Sequence, residues 1–188
     1  MDNRQRLLDC ALALFGQRGY DAVGVREVVE AAGVTKPTLY HYFSSKRGLL
    51  DALIKREAGP MLTDILQSAV YMGDLVLTLE KIVRTYFKIA QSNSIFYRMQ
   101  LAMYFAPPES EAKQAIHPFA LEQRGILEDV FSRAVENHGN LRGRHHRYAV
   151  GFLGEINAMI GLYLNHELDL NDEVAYQLVH QFMHGIFS

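Results

Sequence analysis

Apolar residues recur at spacings of three and four along almost the whole chain, and this periodicity constrains the fold more than any other feature. No segment shows the alternation of apolar and polar residues that would indicate a strand. With 188 residues, 49% of them hydrophobic, the chain is long enough to bury a substantial core. The sequence therefore predicts an all-α protein.

Caps and breakers divide the first part of this pattern into three short helices. A glycine-containing turn at Gly33 separates the second helix from the third, and Thr35 stands at the N-cap position of the third. The three helices are predicted at about 2–18, 25–32 and 35–43. Such an arrangement predicts a helix-turn-helix in a small N-terminal bundle.

Longer helices follow and predict a larger C-terminal bundle. One opens at Lys46, and Gly59-Pro60 indicates a kink or a break in it, or a simple fit of the chain around the core. Pro118 is expected to disturb a later helix. The later helices are predicted at about 75–91, 94–105, 110–138, 144–167 and 172–187.

Charge is distributed unevenly between these two parts. The net charge is −2, but residues 1–56 hold nine Lys and Arg against six Asp and Glu, so that this segment carries +3 and the remainder −5. A basic N-terminal segment followed by an acidic remainder suggests two separate functions in one chain.

Compartment and chemistry are constrained by what is missing from the sequence. The N-terminus has no apolar signal core and no apolar run could span a bilayer, so we expect a cytoplasmic protein without membrane contact. Cys10 is the only cysteine, which fits a reducing compartment. The sequence carries no glycine-rich phosphate loop, no G-x-S-x-G, no H-E-x-x-H and no paired acid/base signature, so we expect neither an enzyme nor a cofactor.

The stretch GVTKPTLYHYFSSK, residues 33–46, carries the strongest motif. It resembles the DNA-binding domain of the TetR (tetracycline repressor) family, and the resemblance extends over about residues 4–55. Gly24 and Val29 depart from the family pattern, and Gly24 should weaken the start of the second helix because a capping Ser or Thr is usual there. The matching positions are Phe15, Gly19-Tyr20, Val25, Val28, Ala32-Gly33-Val34-Thr35, Leu39-Tyr40, Tyr42-Phe43, Lys46 and Leu49.

The resemblance implies a helix-turn-helix DNA-binding domain at 1–48 and an effector-binding and dimerisation domain at 49–188. Tyr42 and Lys46 match the family's phosphate contacts, while the preceding residues would approach base edges in a near-palindromic operator. A competing interpretation is that Tyr40 and Tyr42 only cap the core with their hydroxyls in water. The DNA-binding set is Thr35, Lys36, Pro37, Thr38, Tyr40, His41, Tyr42 and Lys46.

Small residues form a stripe on the helix predicted at 144–167, and small residues let another helix approach closely. In the family the last two helices form a four-helix dimer interface, and this stripe suits a homodimer. Packing against the last helix of the same chain is the alternative, and both can hold. The predicted interface is Gly151, Gly154, Ala158, Gly161, Leu178 and Phe182.

Large, adaptable side chains are frequent in the middle helices, where the family houses a small-molecule effector. Taken singly, each of these residues also fits an ordinary core position. Methionines and aromatic rings suit an apolar or aromatic effector. The candidate pocket residues are Tyr86, Phe87, Met99, Met103, Phe131 and Met159.

Two further patterns are interpreted without a function. His180 and His184 are four residues apart, but their apolar neighbours are typical of a packed helix, and no metal site is expected. The basic run at 142–147 is interpreted as a solvated loop.

The resemblance implies a homodimeric repressor released from its operator by a small molecule. A helical interaction module that has lost DNA binding is the other non-enzymatic interpretation.

Overall fold

The computed structural model describes residues 2–185, apart from the side chain of Asn140. The prediction of an all-α protein is confirmed, because these residues form α-helices and one short 3-10 helix, and no strand is found among them. The α-helices are α1 Asn3–Arg18, α2 Val25–Ala32, α3 Lys36–Phe43, α4 Lys46–Ser68, α5 Leu75–Ser92, α6 Ser94–Tyr104, α7 Glu111–Ala134, α8 His145–Leu164 and α9 Asp172–His184.

The largest departures from the predicted helices occur at prolines. α4 continues through Pro60, so the helix is not broken at Gly59-Pro60, and a kink there stays a prediction. α7 likewise continues through Pro118. In α4 the next turn buries Met61 and Ile65, which are 3% and 0% exposed. Burying such side chains stabilises by about 1.5–3 kcal/mol each, which offsets the roughly 3 kcal/mol that a proline costs inside a helix.

Helix ends differ by a few residues from the predicted ones. The helix predicted to reach residue 138 ends at Ala134, and residues 139–141 form the short 3-10 helix instead. The last helix ends at His184, and the remaining predicted residues, 186 and 187, lie outside the described part of the chain.

Contacts divide the chain into two compact units. Unit 1 comprises residues up to Pro60 together with 95–120, and unit 2 comprises 61–94 together with 121 onward. The boundaries fall within α4 and α7, so each of these helices contributes to both units. This division by contacts is separate from the functional division predicted at residue 48, which stays a prediction.

The core of the N-terminal bundle in unit 1 is made by α1, α2 and α3. One face of α1, from Leu7 to Phe15, is buried against residues of α2 and α3. Val28 and Leu39 are completely buried, and Phe43 is nearly so. This packing holds α3 by its inner face and leaves its outer face free for other contacts.

The core of unit 2 contains an aromatic cluster that joins α7, α8 and α9. The ring of Phe182 lies 4.9 Å from that of Phe152 and 5.9 Å from that of Phe131, measured between centroids. Arg84 on α5 pairs with Asp172 at the start of α9 at 2.7 Å. These contacts fix α8 and α9 within unit 2.

Candidate functional site

The turn that precedes α3 depends on a glycine. Gly33 has a φ of 62°, in the left-handed region. The Arg6 guanidinium donates to the carbonyl oxygen of Ala32, and a Cβ placed on Gly33 would lie 2.8 Å from Arg6 Nη2. Both the backbone angle and the close approach therefore favour glycine, and they fix the direction in which α3 leaves α2.

The start of α2 is stabilised despite the missing capping side chain at Gly24. The Glu27 carboxylate accepts from the Gly24 N–H at 2.9 Å and is paired with the Arg18 guanidinium. These contacts, the hydrogen bond before the ion pair, lower the pKa of Glu27. The weakening expected at Gly24 is thus partly offset by one of the two contacts of a capping box, the one in which the side chain of the third helical residue accepts from the N-cap N–H.

A second close approach sets the turn between α3 and α4. A Cβ on Gly48 would lie only 2.0 Å from the carbonyl oxygen of Phe43. The Ser45 hydroxyl accepts from the Gly48 N–H at 2.9 Å and so caps the first turn of α4. Lys46, the first residue of α4, is thereby held just after the end of α3.

The outer face of α3 is exposed and carries most of the predicted DNA-binding set. Tyr40 and Tyr42 are 46% and 37% exposed. The Thr35 hydroxyl makes no capping hydrogen bond and instead lies 2.9 Å from the Thr38 hydroxyl. Thr38 and Lys46 are half-buried, and the exposed members are Thr35, Lys36, Pro37, Tyr40, His41 and Tyr42. The two oxygen atoms of the threonine pair can accept or donate towards a partner beyond this face.

Lys46 lies against an aromatic ring. Its ammonium nitrogen is 4.0 Å from the centroid of Tyr20, whose hydroxyl donates to Glu111 Oε2 at 2.6 Å. Burial lowers the pKa of Lys46, while the carboxylates of Asp21, Glu111 and Glu27 act in the opposite direction. The motif contains Tyr20, but no signal in the sequence pointed to Glu111, which is 91 residues further along the chain.

One cleft lies in unit 2 and a smaller one lies in unit 1. The larger, about 640 Å³, lies between the second half of α4 and the second half of α7 in unit 2. Its lining is mostly apolar, with Glu122, Asp129 and Arg133 contributing charge: the residues are Leu62, Thr63, Leu66, Ala69, Val70, Glu122, Gly125, Ile126, Asp129 and Arg133. The smaller, about 270 Å³, lies in unit 1 between the end of α1 and α6.

The six residues predicted to line an effector pocket are distributed over both units. Met99 and Met103 line the smaller cleft in unit 1. In unit 2, Tyr86, Phe87 and Phe131 are buried in the core, and Met159 on α8 is half-buried. None of the six lines the larger cleft.

The small-residue stripe of α8 is open. Gly151, Gly154 and Ala158 are exposed, and a Cβ on Gly154 would meet no neighbouring atom within 4 Å among the described residues. The same holds for Gly161, which is half-buried. Of the two predicted interface residues on α9, Leu178 is buried and Phe182 packs on Phe152, so both take part in intrachain packing.

Residues 2–185 contain neither a cluster of metal-ligating side chains nor a membrane-spanning helix. The rings of His180 and His184 lie 4.7 Å apart, but no group of three or more His, Cys, Asp or Glu side chains there could hold a metal ion. No helix in that part of the chain is long and apolar enough to cross a membrane.

Comparison with known proteins matches the helix-turn-helix and the whole chain separately. The sequence model described as "Bacterial regulatory proteins, tetR family" matches residues 7–53. The HTH-type transcriptional activator FasR of Mycolicibacterium smegmatis is 27% identical over all of this chain and 84% of its own length. The segment 7–53 is a TetR-family DNA-binding domain. The relatives that the chain matches are named as transcriptional regulators, and such regulators are not enzymes.

Other TetR-family relatives differ in how much of the chain they match. The HTH-type transcriptional repressor KstR of Rhodococcus jostii is 48% identical over 56 residues, which is 30% of this chain and 26% of KstR. The crystal structure of FadR from Bacillus subtilis in complex with stearoyl-CoA has a TM-score of 0.80 at 18% identity, and the match covers 97% of this chain and 98% of that one. This structural likeness shows that the TetR fold extends over the C-terminal helices, where sequences diverge.

The sequence predicts the DNA-binding residues but not the larger cleft. All eight residues of the predicted DNA-binding set fall within the matched segment 7–53. The cleft residues Leu66, Val70 and Ile126 lie outside it, at positions that an amphipathic helix would fill with apolar side chains in any case. Their pattern therefore gives no signal that distinguishes a cleft wall from a core face.

Proposed function

We propose that this TetR-family chain is a homodimeric repressor in the cytoplasm that binds a near-palindromic operator and releases it when a small apolar effector binds. The observation that carries the proposal is the exposed outer face of α3 next to Lys46. The remaining roles follow from how such a face reads a duplex.

The outer face of α3 supplies the contacts expected of a recognition helix. Its N-terminal residues, from Thr35 to Thr38, would enter the major groove with Tyr40 and His41 further along, because that end of the helix contacts base edges in this motif. Thr hydroxyls and the Lys36 ammonium can hydrogen-bond base edges, and Pro37 is compatible with the first turn because its missing N–H has no intrahelical partner there. Tyr42 and Lys46 would hold phosphates on either side and so fix the register.

Dimerisation through the α8 stripe would give the operator its symmetry. Gly151, Gly154, Ala158 and Gly161 would let a helix of a second copy approach closely, while Leu178 and Phe182 hold α9 in place behind them. A two-fold dimer reads two half-sites about 34–36 Å apart, or a multiple of that distance.

The effector that we propose to test first is a long-chain acyl-CoA. FadR of Bacillus subtilis shares the fold and was crystallised with stearoyl-CoA. In this chain the larger cleft has a size within the roughly 300–1,000 Å³ usual for ligand sites. Leu66, Val70 and Ile126 offer apolar contact for an acyl chain. Arg133 pairs with Asp129 at 2.8 Å and would exchange that partner for an anionic group of the effector.

The aromatic and methionine residues predicted to line a pocket also have roles in this proposal, as supports of the larger cleft or as part of the smaller one. Tyr86, Phe87, Phe131 and Met159 belong to unit 2 with the larger cleft and would support its walls or admit the effector by repacking. Met99 and Met103 line the smaller cleft and would respond to a ligand there.

Fluorescence anisotropy with DNA from upstream of the protein's own gene tests both halves of the proposal. The chain should bind that DNA more tightly than an unrelated duplex, and stearoyl-CoA should release it where CoA alone does not. Failure to prefer the upstream DNA would contradict the operator, and release by every CoA compound or by none would contradict the acyl-chain effector. A reporter that is transcribed more in the absence of the protein would support repression, and the opposite would indicate activation.

A cleft-filling variant separates effector binding from DNA binding. Gly125 lines the larger cleft, and a Cβ on it would meet no neighbouring atom within 4 Å among the described residues, so Gly125→Leu should fill the space without distorting the helix. Operator affinity should stay at the wild-type value while release by stearoyl-CoA is lost. Ser132→Leu, at an exposed position of the same helix, is the control and should respond like wild type. Wild-type release in Gly125→Leu would place the effector elsewhere.

A further inference from the structure

Lys46 is held by an aromatic contact that the proposed phosphate role leaves unexplained. A lysine on an exposed helix end ordinarily extends into water on a flexible stem. Here the stem is half-buried and the ammonium nitrogen lies 4.0 Å from the centroid of the Tyr20 ring, which is within the range of a cation–π interaction. The position of this cation therefore depends on the position of the ring.

The Tyr20 ring is itself fixed on two sides. Its edge packs against Phe15 at 5.3 Å between centroids, and only 4% of the residue is exposed. Its hydroxyl donates to Glu111 Oε2 at 2.6 Å. Burial first, and then the hydrogen bond and charge of Glu111, raise the pKa of that hydroxyl, so it remains a donor at physiological pH.

Glu111 is the first residue of α7, and α7 is the helix whose second half lines the larger cleft. We propose that Glu111 and Tyr20 are positioning residues that determine where the Lys46 ammonium lies, so that the start of α7 controls one phosphate contact of the helix-turn-helix domain. This inference rests on the proposed function, because it takes Lys46 to contact DNA. Lys46, Tyr20 and Glu111 all lie in unit 1.

Removing the ring should reduce operator affinity by a predictable factor. An exposed cation–π contact corresponds to about a twofold to fivefold change in an equilibrium constant, and a dimer engages the operator with two heads. Tyr20→Leu should therefore weaken operator binding by about fourfold to 25-fold. Tyr20→Phe keeps the ring but loses the link to Glu111, and should weaken binding by a smaller factor.

A double-mutant cycle shows whether the effect passes through Lys46. In a Lys46→Ala background, Tyr20→Leu and Tyr20→Phe should change operator affinity by less than about 1.5-fold, since the cation that they position is gone. Equal effects in both backgrounds, or no effect in either, would overturn the proposal. If Lys46→Ala alone left affinity and salt dependence unchanged, the phosphate role in the proposed function would fall first, and this outcome is distinguishable from the others.

A matched control exists in the same unit. Lys113 Nζ lies 3.8 Å from the ring centroid of Tyr104, a cation–π contact of similar length on a more exposed ring outside the predicted DNA-binding set. Tyr104→Leu should leave operator affinity at the wild-type value. An equal loss in Tyr104→Leu would mean that disturbing any such pair weakens binding, and would contradict a specific role for Tyr20.

The geometry can also be tested without DNA. In wild type the Lys46 methylene protons next to the ammonium group should show an upfield ring-current shift by NMR, assigned by its disappearance in Lys46→Ala. Tyr20→Leu should reduce the shift to the smaller contribution of Phe15, whose ring centroid lies 6.0 Å from Lys46 Nζ. Glu111→Ala should reduce it by less, because the Tyr20 ring remains but loses its hydroxyl partner. An unchanged shift in Glu111→Ala would overturn the part assigned to α7, even if the variant binds DNA normally.

Discussion

A leucine in place of Gly154 tests whether the exposed stripe of α8 joins two copies of the chain. Within one protomer the leucine has room, since a Cβ at this position meets no neighbouring atom within 4 Å among the described residues. Replacing a glycine inside a helix with leucine also favours the helix, by up to about 1 kcal/mol. The protomer itself should therefore be as stable as wild type or slightly more so.

Between protomers the same leucine should be strongly unfavourable. Overpacking a close helix contact costs about 1–3 kcal/mol, and a two-fold interface contains the substitution twice. The dimer would thus lose about 2–6 kcal/mol, which corresponds to a dissociation constant about 30-fold to 20,000-fold higher. Operator affinity should fall with it, because a monomer engages only one half-site.

Sedimentation equilibrium over a range of concentrations measures the dissociation constant directly, and a thermal melt checks the fold. Ser132→Leu, an exposed position on α7 outside the predicted interface, is the matched control and should sediment as wild type. An unchanged dimer in Gly154→Leu would move the interface to another surface. A lower melting temperature at a concentration where both proteins are monomeric would contradict the open space inferred around Gly154.

Three further predictions concern α4. Lys46→Ala should weaken binding to operator and unrelated DNA by similar factors and lower the salt slope by about one unit per head, and a wild-type slope in anisotropy titrations would remove Lys46 from the phosphate contacts. Gly48→Ala should lower the melting temperature, because its Cβ would lie 2.0 Å from the Phe43 carbonyl oxygen. Gly59→Ala in the same helix is the control: its Cβ meets no neighbouring atom within 4 Å among the described residues, so it should stabilise the protein by about 0.5–1 kcal/mol. Equal melting temperatures of the two variants would refute this reasoning. Replacing both Gly59 and Pro60 with alanine should change release by the effector more than operator affinity, and wild-type release would exclude a hinge there.

Most helix bounds could be predicted from the sequence because their causes are local. Gly33 ends α2 through its own backbone angle, and the bounds of α2 were predicted without error. The prolines show where this approach fails. At Pro60 the local rule gives a cost, but the gain comes from burying Met61 and Ile65 against partners that the sequence does not identify.

The candidate site divides in the same way. The outer face of α3 could be predicted because the motif also contains the residues of the inner face, among them Leu39 and Phe43, which are buried. The partnership of Tyr20 with Glu111 could not, since it joins residues 91 positions apart and depends on where α7 begins. The larger cleft was missed because its lining follows ordinary amphipathic spacing.

Two helices connect the proposed effector cleft with the proposed DNA contact along the chain itself. α4 begins with Lys46 and later lines the cleft with Leu62, Thr63 and Leu66, and α7 begins with Glu111 and later lines it with five residues between Glu122 and Arg133. An effector can change DNA affinity only by its unequal affinity for two conformations, and tenfold weaker binding requires about 1.4 kcal/mol of such preference. We propose that an effector in the cleft acts through one of these helices on the residue at its start, either the Lys46 cation or the Glu111 carboxylate that fixes its ring. The alanine replacements at positions 59 and 60 alter α4 alone, so release that survives in that variant but is lost in Tyr20→Phe would assign the signal to α7.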